Sequence, residues 1–225
     1  MPSKSLLGTY AFFTFCLLVA GVISIVFSFV WRKPDLLLNM IFSHADLTAG
    51  LVLGITLLVS VCLSIGAIVQ PNHVTVGLVI LNWALIGDVI ITLVIGTFVW
   101  FYTLRERSEF HTVYAGLTSD KRIAIQDMFS CCGYFNATDL VEFGGNFCQN
   151  STFANALNAT VTTNFCVTPV TKHADVSLNN VFTVIYGFVA MLIGLFLTSL
   201  CVIKVREEVE RFKKIDAKRG GRGFV

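Results

Sequence analysis

Residues 48–102 read TAGLVLGITLLVSVCLSIGAIV-QPNH-VTVGLVILNWALIGDVIITLVIGTFVWFY. Asp88 is the single acid in this stretch, and it holds no Lys or Arg. Two apolar runs, 48–69 and 74–102, flank the break Gln70-Pro71-Asn72-His73. Each run meets the roughly 20 apolar residues that a membrane-crossing helix needs. Proline removes a backbone donor and favours a turn, so the break joins two antiparallel helices.

The same pattern extends outward. Residues 5–31 and 176–203 also contain no Asp, Glu, Lys or Arg, and with 47–87 and 89–104 the uncharged runs fill half the chain. Overall 55% of the residues are apolar and 13% charged, about half the charge of an ordinary soluble domain. A soluble enzyme, a nucleic-acid binder and a disordered regulator all need charged surface that this chain lacks. The first run is longer than a signal-peptide core, and no clear small-x-small cleavage site follows it, so a retained span is expected. The organisation read from these runs is a cytosolic N-terminus at 1–7, spans at 8–31, 48–69, 74–102 and 181–203, and a basic cytosolic tail at 204–225. The connections are a small outer loop at 32–47, a short inner loop at 70–73 and a large outer loop at 103–180.

Four spans put both termini on one side. The large loop carries three N-x-[ST] tripeptides, at Asn136, Asn150 and Asn158, which argue that it is lumenal or extracellular. After Ile203 there are eight Lys and Arg against four acids, which fits cytosolic termini by the positive-inside rule. Arg32, Lys33, Arg105 and Arg107 then lie just outside the membrane, against that rule. The sequons and the tail weigh more, because long loops translocate regardless of charge.

The large loop also holds Cys131, Cys132, Cys148 and Cys166, while Cys16, Cys62 and Cys201 lie in spans. Four cysteines in an oxidising compartment suggest two disulfides. Neighbouring Cα atoms are about 3.8 Å apart and a relaxed disulfide spans about 4.4–6.8 Å. A Cys131–Cys132 bond is therefore disfavoured and two pairings remain. Gly133 gives the backbone room to turn after the pair. Zinc is disfavoured, because adjacent cysteines do not ligate one ion as C-x-x-C does. The absence of C-x-x-C also argues against a membrane thiol oxidoreductase. The four histidines have no ligand spacing, and no metal or cofactor is expected.

Cys131-Cys132-Gly133 in a large second outer loop, two further loop cysteines, four spans and a tiny inner loop resemble a tetraspanin. The stretch Gln126-Asp-Met-Phe-Ser-Cys-Cys-Gly-Tyr-Phe-Asn136 and the short tails are most similar to fungal tetraspanins implicated in penetration by infection structures such as appressoria. The resemblance implies an all-α fold, a four-helix membrane bundle with a disulfide-bonded, mainly helical outer loop. It implies the bonds Cys131–Cys166 and Cys132–Cys148. It further implies a non-enzymatic scaffold at the plasma membrane, with an endomembrane as the alternative, that binds other integral membrane proteins. A role in polarised growth or host penetration beside a membrane NADPH oxidase, and homo-oligomers, belong to the same expectation. The chain departs from the family's frequent Asn in span one and Glu or Gln in spans three and four: span one offers Thr14, Ser24 and Ser28, and span four no acid or amide. The family's sterol pocket is left open on that account, and membrane lipids remain expected partners.

Small residues recur at packing intervals: Thr14, Gly21 and Ser28; Ala49, Thr56, Ser60 and Ala67 beside Gly50-x-x-x-Gly54; Gly187 and Gly194. Lipid gives helices no hydrophobic reason to pair, so close approach at small residues must hold them together. A seven-residue repeat implies left-handed packing. Asp88 is a functional candidate as the only ionisable residue within a span. A transporter or channel subunit would use it as an ion site. Asn82 lies about 240° around the helix from it, so the expected role is structural, hydrogen-bonded within the bundle. A claudin-like protein is disfavoured because residues 32–47 lack cysteine. Cys201, near Lys204, is the leading acylation candidate, followed by Cys16 and Cys62.

After Leu104, Phe110, Val113, Tyr114 and Leu117 continue a helical stripe, and further helices are expected near 123–129 and 173–180. Residues 134–165 lack a strong period, so helices there should be short and partner recognition is expected in them. In the tail, Glu207–Arg211 and Glu210–Lys214 are i,i+4 pairs on a short helix. Lys213, Lys214, Lys218, Arg219 and Arg222 suit anionic headgroups.

Overall fold

The computed structural model describes residues 4–33, 41–42, 44–71, 74–158 and 160–218. Half of the small loop (34–40 and 43), half of the 70–73 break, and Arg219 and Arg222 lie outside the described residues. The elements are α1 (Lys4–Val30), α2 (His44–Val69), α3 (Val76–Ala115), α4 (Ser119–Phe129), α5 (Ser151–Ala156) and α6 (Val167–Lys218), with a 3-10 turn at Thr162–Asn164. No strand occurs among the described residues. Four helices, α1, α2, α3 and α6, are long and apolar enough to cross a membrane. The chain is an all-helical membrane protein.

Helices run further than the apolar runs that announce them. Helix α3 passes residue 102 and ends at Ala115, along the stripe of Phe110 and Tyr114. Helix α4 starts at Ser119, four residues ahead of the expected stretch, with Asp120 in a first turn that favours an acid. Helix α6 starts at Val167 rather than near 173. Pro169 falls in its first turn, where backbone N–H groups have no intrahelical partner and a missing donor costs nothing.

Two compact units share these helices. Met1–Val30, Ala45–Gly96 and Val184–Val225 form the first, and Trp31–His44 with Thr97–Thr183 form the second. In the first unit every helix buries a stripe with alternating steps of three and four. On α2 it is Leu53, Leu57, Ser60, Ser64 and Ala67; on α3 it is Leu78, Leu81, Leu85, Asp88 and Thr92. On α6 Ile185, Leu192, Ser199 and Arg206 recur every seven residues, with Leu195 and Val202 between them. On α1 Tyr10, Leu17, Gly21 and Ser28 hold the same register. This 3.5-residue period is that of left-handed helix packing. The opposite faces are apolar and uncovered: Phe12, Phe15, Ile55, Val59 and Ile90 are exposed, and Trp83 is 71% so. Apolar surface on that scale suits hydrocarbon and not water.

Glycine sets one contact in particular. A Cβ on Gly54 would lie 2.6 Å from Ile25 Cγ1 and 3.0 Å from the Gly21 carbonyl oxygen; one on Gly21 would lie 3.2 Å from the Gly54 carbonyl oxygen. Helices α1 and α2 therefore touch backbone to backbone. Gly194 receives the Phe13 ring in a similar way, whereas Gly50 and Gly187 face open space. Of the two glycines in Gly50-x-x-x-Gly54, only the second is part of a helix contact. Gly54→Ala should therefore lower the stability of the detergent-solubilised protein by about 1–3 kcal/mol, the usual effect of overpacking. Gly50→Ala should not, and thermal unfolding of the two variants side by side checks the difference.

Candidate functional site

The second unit is built around two adjacent cysteines. Helix α4 ends at Ser130, whose φ of 52° places it in the left-handed region that terminates helices. The Cys131 N–H donates to the Gln126 carbonyl (3.0 Å), which brings the cysteine pair directly off the helix end. Cys131 bonds to Cys166 and Cys132 to Cys148, with Cα separations of 5.1 and 5.4 Å. This is the pairing implied by the resemblance. The sequence separations are 35 and 16, so each bond restricts the unfolded loop by about 3–4 kcal/mol. The backbone reinforces them: Cys132 N–H donates to Asn164 O (2.9 Å), Cys166 N–H to Gly133 O (3.0 Å) and Val167 N–H to Tyr134 O (3.1 Å). All four cysteines are buried.

Gly133 has φ +73°, and a Cβ there would lie 2.0 Å from the Asn136 carbonyl oxygen. No L-residue with a side chain fits, which is the physical content of the Cys-Cys-Gly tripeptide. In the amide orientation that satisfies both its ends, buried Gln126 accepts from the Gly133 N–H (3.1 Å) and donates to the Glu142 carbonyl (2.9 Å). Asp127 on α4 accepts from the N–H groups of Asn146 (3.0 Å) and Phe147 (2.9 Å), and so positions the chain just before Cys148. These backbone N–H groups hold its carboxyl below the usual range.

The loop between the cysteines is pinned from the helices as well. His111 meets Asp139 at 3.2 Å and stacks on Phe135 with ring centroids 5.0 Å apart. Arg122 pairs with Glu142 at 2.9 Å. The Tyr114 hydroxyl is buried without a hydrogen-bond partner, and burial raises its pKa. The segment still presents apolar side chains to solvent, among them Phe135, Phe143, Phe153 and Val161.

The three sequon asparagines are exposed. Asn136 and Asn158 each accept, through Oδ1, the N–H and hydroxyl of their own threonine, Thr138 (3.0 and 2.8 Å) and Thr160 (3.0 and 2.7 Å). Asn150 instead caps α5, its Oδ1 accepting from Phe153 N–H (2.8 Å).

In the first unit the two intramembrane polar candidates have separate partners. Asp88, 4% exposed, accepts from Ser60 Oγ on α2 (2.5 Å), and Thr92 donates to its backbone carbonyl (2.6 Å). Asn82 accepts from Ser199 on α6. The structure does not bring them together, as their angular separation on one helix requires. Cys16 is a half-buried free thiol, and Cys62 and Cys201 are exposed free thiols.

Two polar residues went unrecognised in the sequence. Tyr10 donates to the Ser64 carbonyl (3.0 Å) and its hydroxyl accepts from Ser64 Oγ (2.7 Å). Arg206 read as one more basic tail residue, yet it is 3% exposed and donates to the carbonyls of Ala67, Ile68 and Val74. It satisfies the end of α2, where carbonyls lack helical partners. Its seven-residue spacing from Ser199, Leu192 and Ile185 was the available signal.

No family model, no curated protein and no solved structure matches the chain.

Two outcomes follow for this domain. Gly133→Ala should scramble the native pairing, giving mixed disulfides by non-reducing peptide mapping in place of Cys131–Cys166 and Cys132–Cys148. Asp127→Asn should destabilise the domain at neutral pH. Its depressed carboxyl stabilises the fold fully above the unfolded value near 3.8 and loses that contribution as pH falls through the folded one. Unfolding curves of the native and Asp127→Asn proteins should therefore differ at pH 7 and converge below about pH 4.

Proposed function

We propose that this chain is a tetraspanin-like, non-enzymatic scaffold that arranges other integral membrane proteins laterally. The observation that carries the reading is the doubly pinned domain. Adjacent Cys131 and Cys132 close onto Cys166 and Cys148, with Gly133 in a conformation that only glycine adopts freely. Two covalent pins let the chain between them change shape and composition while the supporting helices stay folded. That is the design of a variable recognition surface, and the exposed aromatic side chains of 134–165 supply one.

In this reading the pinned domain faces the cell exterior, both termini are cytosolic, and the plasma membrane is the site of action. Asn136, Asn150 and Asn158 carry glycans, and Cys201, Cys62 and Cys16 accept thioester-linked acyl chains that promote clustering. Resemblance to the fungal members points to polarised growth or host penetration, with a membrane NADPH oxidase among the candidate partners.

The test replaces residues 134–165, keeping Cys148, with the equivalent segment of an unrelated tetraspanin. Surface expression should persist while the set of proteins captured by proximity labelling changes. An unchanged set would place partner choice in the spans or the tail and overturn the assignment to this segment.

A further inference from the structure

A cleft of about 800 Å³ opens in the first unit between α1 and α2, at the end of the bundle where α1 begins, α2 ends and α6 leaves its apolar run. Its walls change character along its length. By helix rise, Lys4 and Arg206 mark one end, and the apolar Phe15, Leu18 and Val61 the other. Between them lie the hydroxyls of Tyr10, Thr14 and Ser64, joined in one chain: Ser64 Oγ donates to the Tyr10 hydroxyl (2.7 Å) and lies 2.8 Å from Thr14 Oγ1.

The described lining itself carries two cations and no acid. No acidic side chain is among the described residues lining the cleft, and Glu207 and Glu208, which follow Arg206, are not lining residues. Arg206 gives its terminal nitrogens to three carbonyls. All three are neutral acceptors; those of Ala67 and Ile68 lie at a helix C-terminus worth about half a negative charge, and that of Val74 in the connection to α3. Its Nε is buried without a partner. Lys4 adds a second cation at the exposed rim. An occupant must bring negative charge to the Lys4–Arg206 end and hydrocarbon to the other.

We propose that this cleft binds an anionic phospholipid, its phosphate and headgroup between Lys4 and Arg206 and the upper part of one acyl chain along Leu7, Ala11 and Leu18. The volume lies within the range of small-molecule pockets, roughly 300–1,000 Å³. It holds a headgroup and part of one chain, and the open side leaves the rest of the lipid in the bilayer. A sterol, uncharged and with a single hydroxyl, would leave both cations unused. The proposal rests on the membrane assignment but on neither the scaffold role nor the orientation of the termini.

The experiment uses the full-length protein in detergent micelles, so topology does not enter. Micelles are doped with phosphatidylserine or phosphatidylcholine at equal mole fraction, and lipid retention is read by native mass spectrometry beside the thermal midpoint. Phosphatidylserine should be retained and should raise the midpoint, and phosphatidylcholine should do neither. Lys4→Gln should weaken phosphatidylserine binding roughly fivefold, the loss of one basic contact to an anionic headgroup. Ala11→Trp blocks the middle of the cleft, where the acyl chain passes, and should abolish retention, while the lipid-free midpoint and both disulfides stay as in the native protein. Arg206 is not the residue to change, because it also ties down α2. Equal retention of the two lipids, equal protection by soluble glycerophosphoserine, displacement by a sterol, or native-like binding by Lys4→Gln and Ala11→Trp would each overturn the proposal. Partner capture with the 134–165 replacement tests the scaffold reading separately.

Discussion

Helices in hydrocarbon gain nothing from hiding apolar surface, because the solvent is as apolar as they are. That constraint governs the first unit. Its helices meet along narrow seams, and the seams carry what lipid cannot supply: backbone contact at Gly21 and Gly54, and hydrogen bonds at Ser60, Ser64, Asp88 and Ser199. The large apolar side chains lie mostly on the outside. The seams still bury leucines such as Leu57, Leu81 and Leu195 in heptad geometry, as a soluble bundle does, but here the outer faces are apolar too.

The buried hydroxyls of Ser28, Ser60, Ser64, Thr92 and Ser199 each have a partner on another helix or on the backbone, and that decides how Asp88 is understood. A carboxyl held by Ser60, on a helix that also offers the Thr92 hydroxyl to its backbone, belongs to the packing of α2 against α3. Asn82 performs the same service toward α6. Arg206 extends the principle to the end of α2, where a cation satisfies the helix-terminal carbonyls of Ala67 and Ile68.

The second unit solves a different problem. The described residues of 134–165 contain one six-residue helix and one 3-10 turn, too little regular structure to hold a shape. Covalent bonds and a few fixed contacts replace it. Ser130 ends α4 where Cys131 must begin, Gly133 turns the chain back, and Asp127 holds the approach to Cys148. His111 and Arg122 fasten the intervening loop from α3 and α4.

The four long apolar helices were legible in the sequence because length without charge is what a membrane-crossing helix requires. Their seven-residue periods were legible because small residues mark contacts. The disfavoured Cys131–Cys132 bond followed from bond geometry alone, but the choice between the two remaining pairings came only with the family resemblance. Tertiary structure decided which small residues matter: Gly54 and Gly194 meet a neighbour, while Gly50 and Gly187, at equally regular spacing, do not. It also decided that Arg206 is interior, since only the carbonyls at the end of α2 distinguish it from the other cations of the tail. Period and charge are properties of a chain. Which neighbour stands opposite a residue is a property of the packed molecule, and that neighbour determines whether a glycine is a contact or a gap and whether an arginine is surface or core.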